Sequence, residues 1–161
     1  MGYFEFLLLI HIAGAIIGFG PTYAFSVLGP VSAKLEPPQR IGILKGMIAI
    51  SRRLVIPVSA FFQPVSGVLL IFESGRNQNF FEHEWLWISI LLYVITFYLA
   101  VLVQRPNVER IVALAEGGAA GTEEFQGRVS RARKLGPVIT VSLTIIVFLM
   151  ITKPGAPEGF F

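Results

Sequence analysis

The sequence predicts an all-α fold: a four-helix transmembrane bundle with amphipathic interfacial helices in its cytoplasmic loops. Three observations predict it. Of 161 residues, 54% are hydrophobic and only 14% are charged, whereas soluble proteins carry roughly 25% charge. Four apolar runs have the length, roughly 17–25 residues, that crosses a hydrocarbon core. The basic residues collect in two of the three connections between those runs. A single membrane domain, residues 1–161, accounts for the whole chain.

The first span covers about residues 3–28 and holds no Lys or Arg, with Glu5 near its start. A cleaved signal peptide needs a basic leader and a small-residue cleavage site. Met1-Gly2-Tyr3-Phe4-Glu5 supplies no base, and Gly20-Pro21-Thr22-Tyr23 is no cleavage motif. A retained helix is therefore expected, with a breaker at Gly18-Phe19-Gly20-Pro21. The second span, about residues 54–72, follows Arg52 and Arg53. The third, about residues 85–103, is followed by Gln104 and Arg105. The fourth, about residues 137–152, is the shortest and lies between Lys134 and Lys153, whose long stems can reach the interfaces.

Charge sets the expected direction. Lys34, Arg40, Lys45, Arg52 and Arg53 separate the first two spans, and Arg105, Arg110, Arg128, Arg131, Arg133 and Lys134 separate the last two. The middle connection has only Arg76 beside Glu73, Glu82 and Glu84, and the C-terminal tail only Lys153. The positive-inside rule places the two basic connections in the cytoplasm and both termini outside. A bacterial cytoplasmic membrane is the expected location.

Both basic connections carry helical patterns. After Pro37-Pro38, residues Ile41, Leu44 and Ile48 share a face, predicting a helix at the interface or leading into the second span. A segment near 107–116 is helical, and Gly117-Gly118-Ala119-Ala120-Gly121 breaks it. Thr122 then suits an N-cap, with Glu123 and Glu124 in the first turn. Phe125, Val129 and Ala132 form the apolar face of the helix that Thr122 would cap. Arg128, Arg131, Arg133 and Lys134 are expected to meet anionic lipid; nucleic acid is not an expected partner.

Composition removes several chemistries. Cysteine is absent, so disulfides, thiolate metal sites and cysteine nucleophiles are excluded. Aspartate is absent too, and no H-E-x-x-H pattern exists. A non-enzymatic protein fits these absences better than an enzyme.

One ionisable residue lies well inside a span. His11 falls about two turns into the first, and residues three, four and seven further on are Gly14, Ala15 and Gly18. Two readings fit this stripe. Gly14 and Gly18 can form a close helix contact, with His11 bonding a neighbour. Alternatively the small residues leave a slot for a flat macrocycle, and His11 supplies an axial nitrogen to the iron of a b-type heme. A proton relay is a third use of a buried imidazole. The other histidine, His83, lies before the third span on the same side and is the candidate second ligand, although its position is interfacial. Polar stripes mark the other spans. Ser59, Gln63 and Ser66 share one face of the second, with Pro57 and Pro64 beside them. Ser89, Tyr93 and Thr96 share one of the third, and Thr140 and Thr144 one of the fourth. These predict interhelical hydrogen bonds or a polar pocket built on Ser59, Gln63, Ser66, Tyr93 and Thr96.

The stretch Leu9-Ile10-His11-Ile12-Ala13-Gly14-Ala15-Ile16-Ile17-Gly18-Phe19-Gly20-Pro21-Thr22 resembles the opening of the bacterial integral membrane proteins of domain-of-unknown-function family 2269. That resemblance implies a four-span layout over nearly the whole chain and no particular activity. A looser similarity extends to the heme-dependent protoporphyrinogen oxidases and the copper-resistance D proteins, which also begin with a span-one histidine followed by small residues. In the former the histidine is a heme ligand, the role this implies for His11. That oxidase also uses a lysine in a later span, and no span here contains one. The copper proteins favour Met and His, and this chain has only Met1, Met47 and Met150.

Three functional classes are consistent with these residues. The first is a b-type heme or porphyrin protein using His11, Gly14 and Gly18. The second is a non-catalytic accessory or scaffold subunit that packs through Gly14 and Gly18 against a larger complex, or a homo-oligomer. The third is a small-molecule pocket or transporter using Gln63 and Tyr93.

Overall fold

A computed structural model describes residues 2–155. Among these the chain is helical without strands, and four helices are long and apolar enough to cross a membrane. Helix α1 is Tyr3–Ser32, its start held by the Glu5 carboxylate accepting from the Gly2 amide at 2.8 Å. Helix α2, Pro37–Ile50, begins with the proline pair, where a missing N–H costs nothing. It runs through π-helical turns at Ser51–Val55 and Val58–Phe62 into α3, Gln63–Glu73. After a 3-10 turn at Phe80–Glu82 comes α4, Glu84–Phe97, which continues through a π-helical stretch at Tyr98–Gln104 into α5, Arg105–Glu116. Helix α6 is Glu123–Thr152.

Of the two places expected for the helix of the first basic connection, it takes the one leading into the second span: Pro37–Glu73 is one rod of 37 residues. The segment near 107–116 likewise continues the third span, in a rod of 33 residues, Glu84–Glu116. At 1.5 Å per residue the rods are about 55 and 50 Å long, about 25 and 20 Å more than a hydrocarbon core of about 30 Å. One expectation is corrected: the breaker expected in the first span does not break it, because α1 carries Pro21 and Pro30 inside continuous helix. Inside a bundle the carbonyl that a proline frees can be tolerated without ending the helix.

Each π-helical segment ends two residues before a proline. The closing amides are Ile56 to the Ser51 carbonyl, Gln63 to Val58 and Arg105 to Ala100. Pro57, Pro64 and Pro106 come next in the chain. A proline ring clashes with the carbonyl four residues back, and a wider turn relieves the clash by slipping the register to five.

The spanning halves pack with α1 against α3 and α6, and α6 against α4. Phe19, Ile139, Leu143 and Ile146 form the core there. At the basic end α2, α5 and the start of α6 pack on one another around Leu44, Ile111, Val112, Leu114 and Phe125. The two faces read from the sequence, Ile41/Leu44/Ile48 and Phe125/Val129/Ala132, meet in this one core. Thr122 caps α6 by accepting from the Phe125 amide at 3.3 Å, and Gly118, at φ +74°, makes the turn before it.

Candidate functional site

Six polar side chains of the first three spans, His11, Ser59, Gln63, Ser66, Tyr93 and Thr96, lie along one interior seam. His11 on α1 faces α3. Its Nδ1 lies 2.8 Å from Ser66 Oγ. The Ser66 hydroxyl donates its own hydrogen back to the Phe62 carbonyl at 2.8 Å, so at His11 it accepts, and Nδ1 carries the ring proton. That leaves Nε2 with a lone pair, which the Gln63 amide meets as donor at 3.1 Å. Both ring nitrogens are engaged. The ring lies on Gly67, where a Cβ would stand 3.3 Å from His11 Cε1.

The small residues beneath His11 serve the same contact. A Cβ on Gly14 would fall 2.6 Å from Phe62 Cδ1 and 2.9 Å from Gln63 Oε1; one on Gly18 would fall 3.1 Å from Val58 Cγ1 and 3.2 Å from Ser59 Oγ. The glycine face is therefore covered by the second span of the same chain. This covering supports the close-contact reading of the stripe. No slot remains for a macrocycle on Gly14 and Gly18, and neither nitrogen of His11 is free for iron, so the residues do not fit a heme. Gly14 and Gly18 are both buried in this contact. His83 does not join His11: it is the N-terminal flanking residue of α4 with its ring 6.4 Å from that of Trp85, while the polar contacts of His11 go to α3. Among the described residues no group of three His, Asp or Glu side chains could hold a metal ion.

The seam continues one turn deeper, where a π-helical turn creates an unusual acceptor. The Gln63 amide bonds to Val58, so it does not reach the Ser59 carbonyl. The next residue, Pro64, has no N–H. The Ser59 carbonyl is thus left without a donor in its own helix, and the Tyr93 hydroxyl of α4 donates to it. Thr96, one turn on from Tyr93, is buried with its hydroxyl unpartnered, and Gln63 Oε1 is likewise buried without a donor. Thr96, Ser59 and Tyr93 line a cavity of about 30 Å³ together with Gly18, Thr22 and Val101.

Of the predicted pocket residues, Ser59, Gln63, Ser66, Tyr93 and Thr96 all lie on this seam, with His11 at its head. Ser89 is buried but donates to the Trp85 carbonyl of its own helix. Thr140 donates to Gly136, and Thr144 ties span four to span one through Tyr23 at 3.1 Å. Sequence reasoning missed Thr22 and Gly67. Thr22 stands beside the motif around Gly18, and Gly67 supplies the small surface that a ring on the facing helix needs. It also missed Asn107, a buried amide that donates to the Arg128 carbonyl at 2.9 Å and clamps α5 to α6.

Fold and seam together define a multi-pass, all-helical membrane protein with a polar interior track. The chain belongs to the family of predicted integral membrane proteins DUF2269, whose pattern matches residues 5–154, nearly its full length. No curated protein and no solved structure shows significant similarity to it.

Proposed function

We propose that this protein is a non-enzymatic binder, or carrier, of a small polar solute, and that the seam from His11 to Thr96 is its site. The observation that supports this is the pair of buried, unpartnered groups, Gln63 Oε1 and Thr96 Oγ1. A polar atom buried without a partner costs about 1–3 kcal/mol, and in a bilayer interior such atoms mark working positions. Both flank π-helical turns, which often occur where a helix must adjust. The same charge asymmetry that orients the spans supports a bacterial cytoplasmic membrane, with the basic ends inside and both termini outside. Anionic headgroups would then meet Arg131, Arg133 and Lys134. Arg128, counted with them from the sequence, pairs with Glu124 at 3.0 Å instead.

The test is thermal unfolding of the purified protein against a panel of short alcohols, polyols and amides. A bound solute at a hundred times its Kd stabilises by about 2.7 kcal/mol. We expect at least one of these chemical classes to raise the unfolding temperature of the wild type and to lose that effect in both Thr96→Val and Gln63→Leu. A panel without any such solute, or shifts equal in all three proteins, overturns the proposal.

A further inference from the structure

The cavity between the π-helical turns has a mainly apolar lining, into which are set a few polar groups that the helices themselves leave unused. Most serine and threonine side chains in the spans donate to a carbonyl three or four residues back, as Ser26, Ser66, Ser89, Thr140, Thr144 and Thr152 do. Thr22, Ser59 and Thr96 make no such bond, and all three line this cavity. Ser59 and Thr96 are more than nine-tenths buried. A fourth group comes from the backbone. The Arg105 amide bonds to Ala100, so it does not serve Val101, and the next residue, Pro106, has no N–H. The Val101 carbonyl is therefore denied both the α-type and the π-type donor, and Val101 lines the same space.

We propose that one or two water molecules reside in this chamber, bound by the hydroxyls of Thr22, Ser59 and Thr96 and by the Val101 carbonyl. The volume of about 30 Å³ suits them, since a water needs about 10–15 Å³ measured this way and two to four polar partners. A cation does not suit the site. Its lining carries no carboxylate, and a charge in a low-dielectric interior without a counter-charge is strongly disfavoured. An empty chamber would leave the buried Thr96 hydroxyl without a partner, at the full desolvation cost of that group. The waters hold together the two rods where proline has loosened both, at the level of Gly18. They also mark the polar positions that an entering solute would take over, and they are resident whether or not a solute ever displaces them.

Hydroxyl-radical footprinting of the full chain in detergent tests this, because radicals formed from bound water modify the side chains beside it. Tyr93 lines the chamber, and Tyr98, on the same rod, faces the surroundings with 55% exposure. The expected result is rapid oxidation of Tyr93, a several-fold loss of it in Thr96→Val, and its retention in Thr96→Ser. Ser59→Ala provides an independent removal of one water partner and is expected to lower Tyr93 oxidation in the same way. Tyr93 oxidation no faster than that of Tyr98, or unchanged in Thr96→Val and Ser59→Ala proteins that unfold at the wild-type temperature, overturns the water site. Failure of the solute panel leaves Tyr93 oxidation untouched, so the two proposals fail separately.

Discussion

The spanning half and the basic extension of this molecule are built by opposite rules. In the spanning half a small apolar core at Phe19, Ile139, Leu143 and Ile146 is joined by close approaches at Gly14, Gly18 and Gly67 and by the polar seam, while Ile16, Phe61, Phe148 and Ile151 face outward. In the extension the interior is Ile111, Val112, Leu114 and Phe125, and the surface carries ion pairs such as Lys45–Glu116 and Arg110–Glu124. The same rods cross from one regime to the other. The difference comes from the solvent. Lipid tails are as apolar as leucine, so burial of leucine gains little there, and close backbone approach and hydrogen bonds carry association. Water restores the drive to bury apolar area. Proline-linked π-helical turns fall within or beside the crossing, where the rods change from one kind of packing to the other.

The largest effect should come from removing apolar bulk on the water side. Phe125 is 4% exposed, touches the α2 and α5 side of the core, and has Arg40 stacked on its ring at 5.3 Å. Phe125→Ala should cost roughly 3–5 kcal/mol. Hydrogen exchange would then accelerate in α2 and α5 before the spans respond. Uniform acceleration along both rods would show that the two halves are one cooperative unit and that the contrast between them is only compositional.

The spanning half should be sensitive to added atoms instead. Gly14→Ala places a methyl inside the Phe62 ring's contact distance, an overpacking worth about 1–3 kcal/mol. Gly127, on α6 of the extension, has nothing within 4 Å of its would-be Cβ. Gly127→Ala should therefore stabilise, by about 0.5–1 kcal/mol as helix propensity requires. Thermal unfolding in a common detergent compares the two. Equal responses would remove the distinction between glycine as a packing element in one half and as an incidental residue in the other.

The sequence makes the contrast visible only in part. Four spans are legible because a bilayer demands length and low charge, and no soluble solution competes. The seam is legible because Ser59, Gln63 and Ser66 repeat at helical spacing in an apolar run. What Gly14 and Gly18 pack against is not legible, since a small-residue stripe specifies a close neighbour without saying which. The structure gives that place to Phe62 and Val58 of the same chain. The continuity of the rods is hidden for a related reason. Hydropathy falls where a helix leaves the membrane, although nothing in the backbone need change there. The π-helical turns coincide with Pro57, Pro64 and Pro106, but Pro21 and Pro137 sit in ordinary helix. Proline position alone does not separate the two cases.

The smallest effect should come from the ion pairs of the extension, and its sign is fixed by one carboxylate. Glu124 accepts from Arg110 at 3.0 and 3.2 Å and from Arg128 at 3.0 Å. The hydrogen bond from Arg110, then that from Arg128, holds its carboxyl below the usual carboxylate range. A group whose folded-state pKa is depressed stabilises the fold above its unfolded pKa, and that contribution disappears as pH falls through the folded one. Opening of α5 from α6 should therefore increase modestly as pH falls through and below the ordinary carboxylate range, and high salt should shrink the effect because all three side chains are partly in water. Hydrogen exchange at Ile111 and Phe125 is the readout, with Glu124→Gln as the comparison. The substituted protein should exchange at neutral pH as the wild type does in acid, and change little further on acidification. If both proteins respond to acid alike, the pH dependence belongs to other carboxylates, and the ion pairs of the water-exposed half are surface decoration on a fold held by its apolar core.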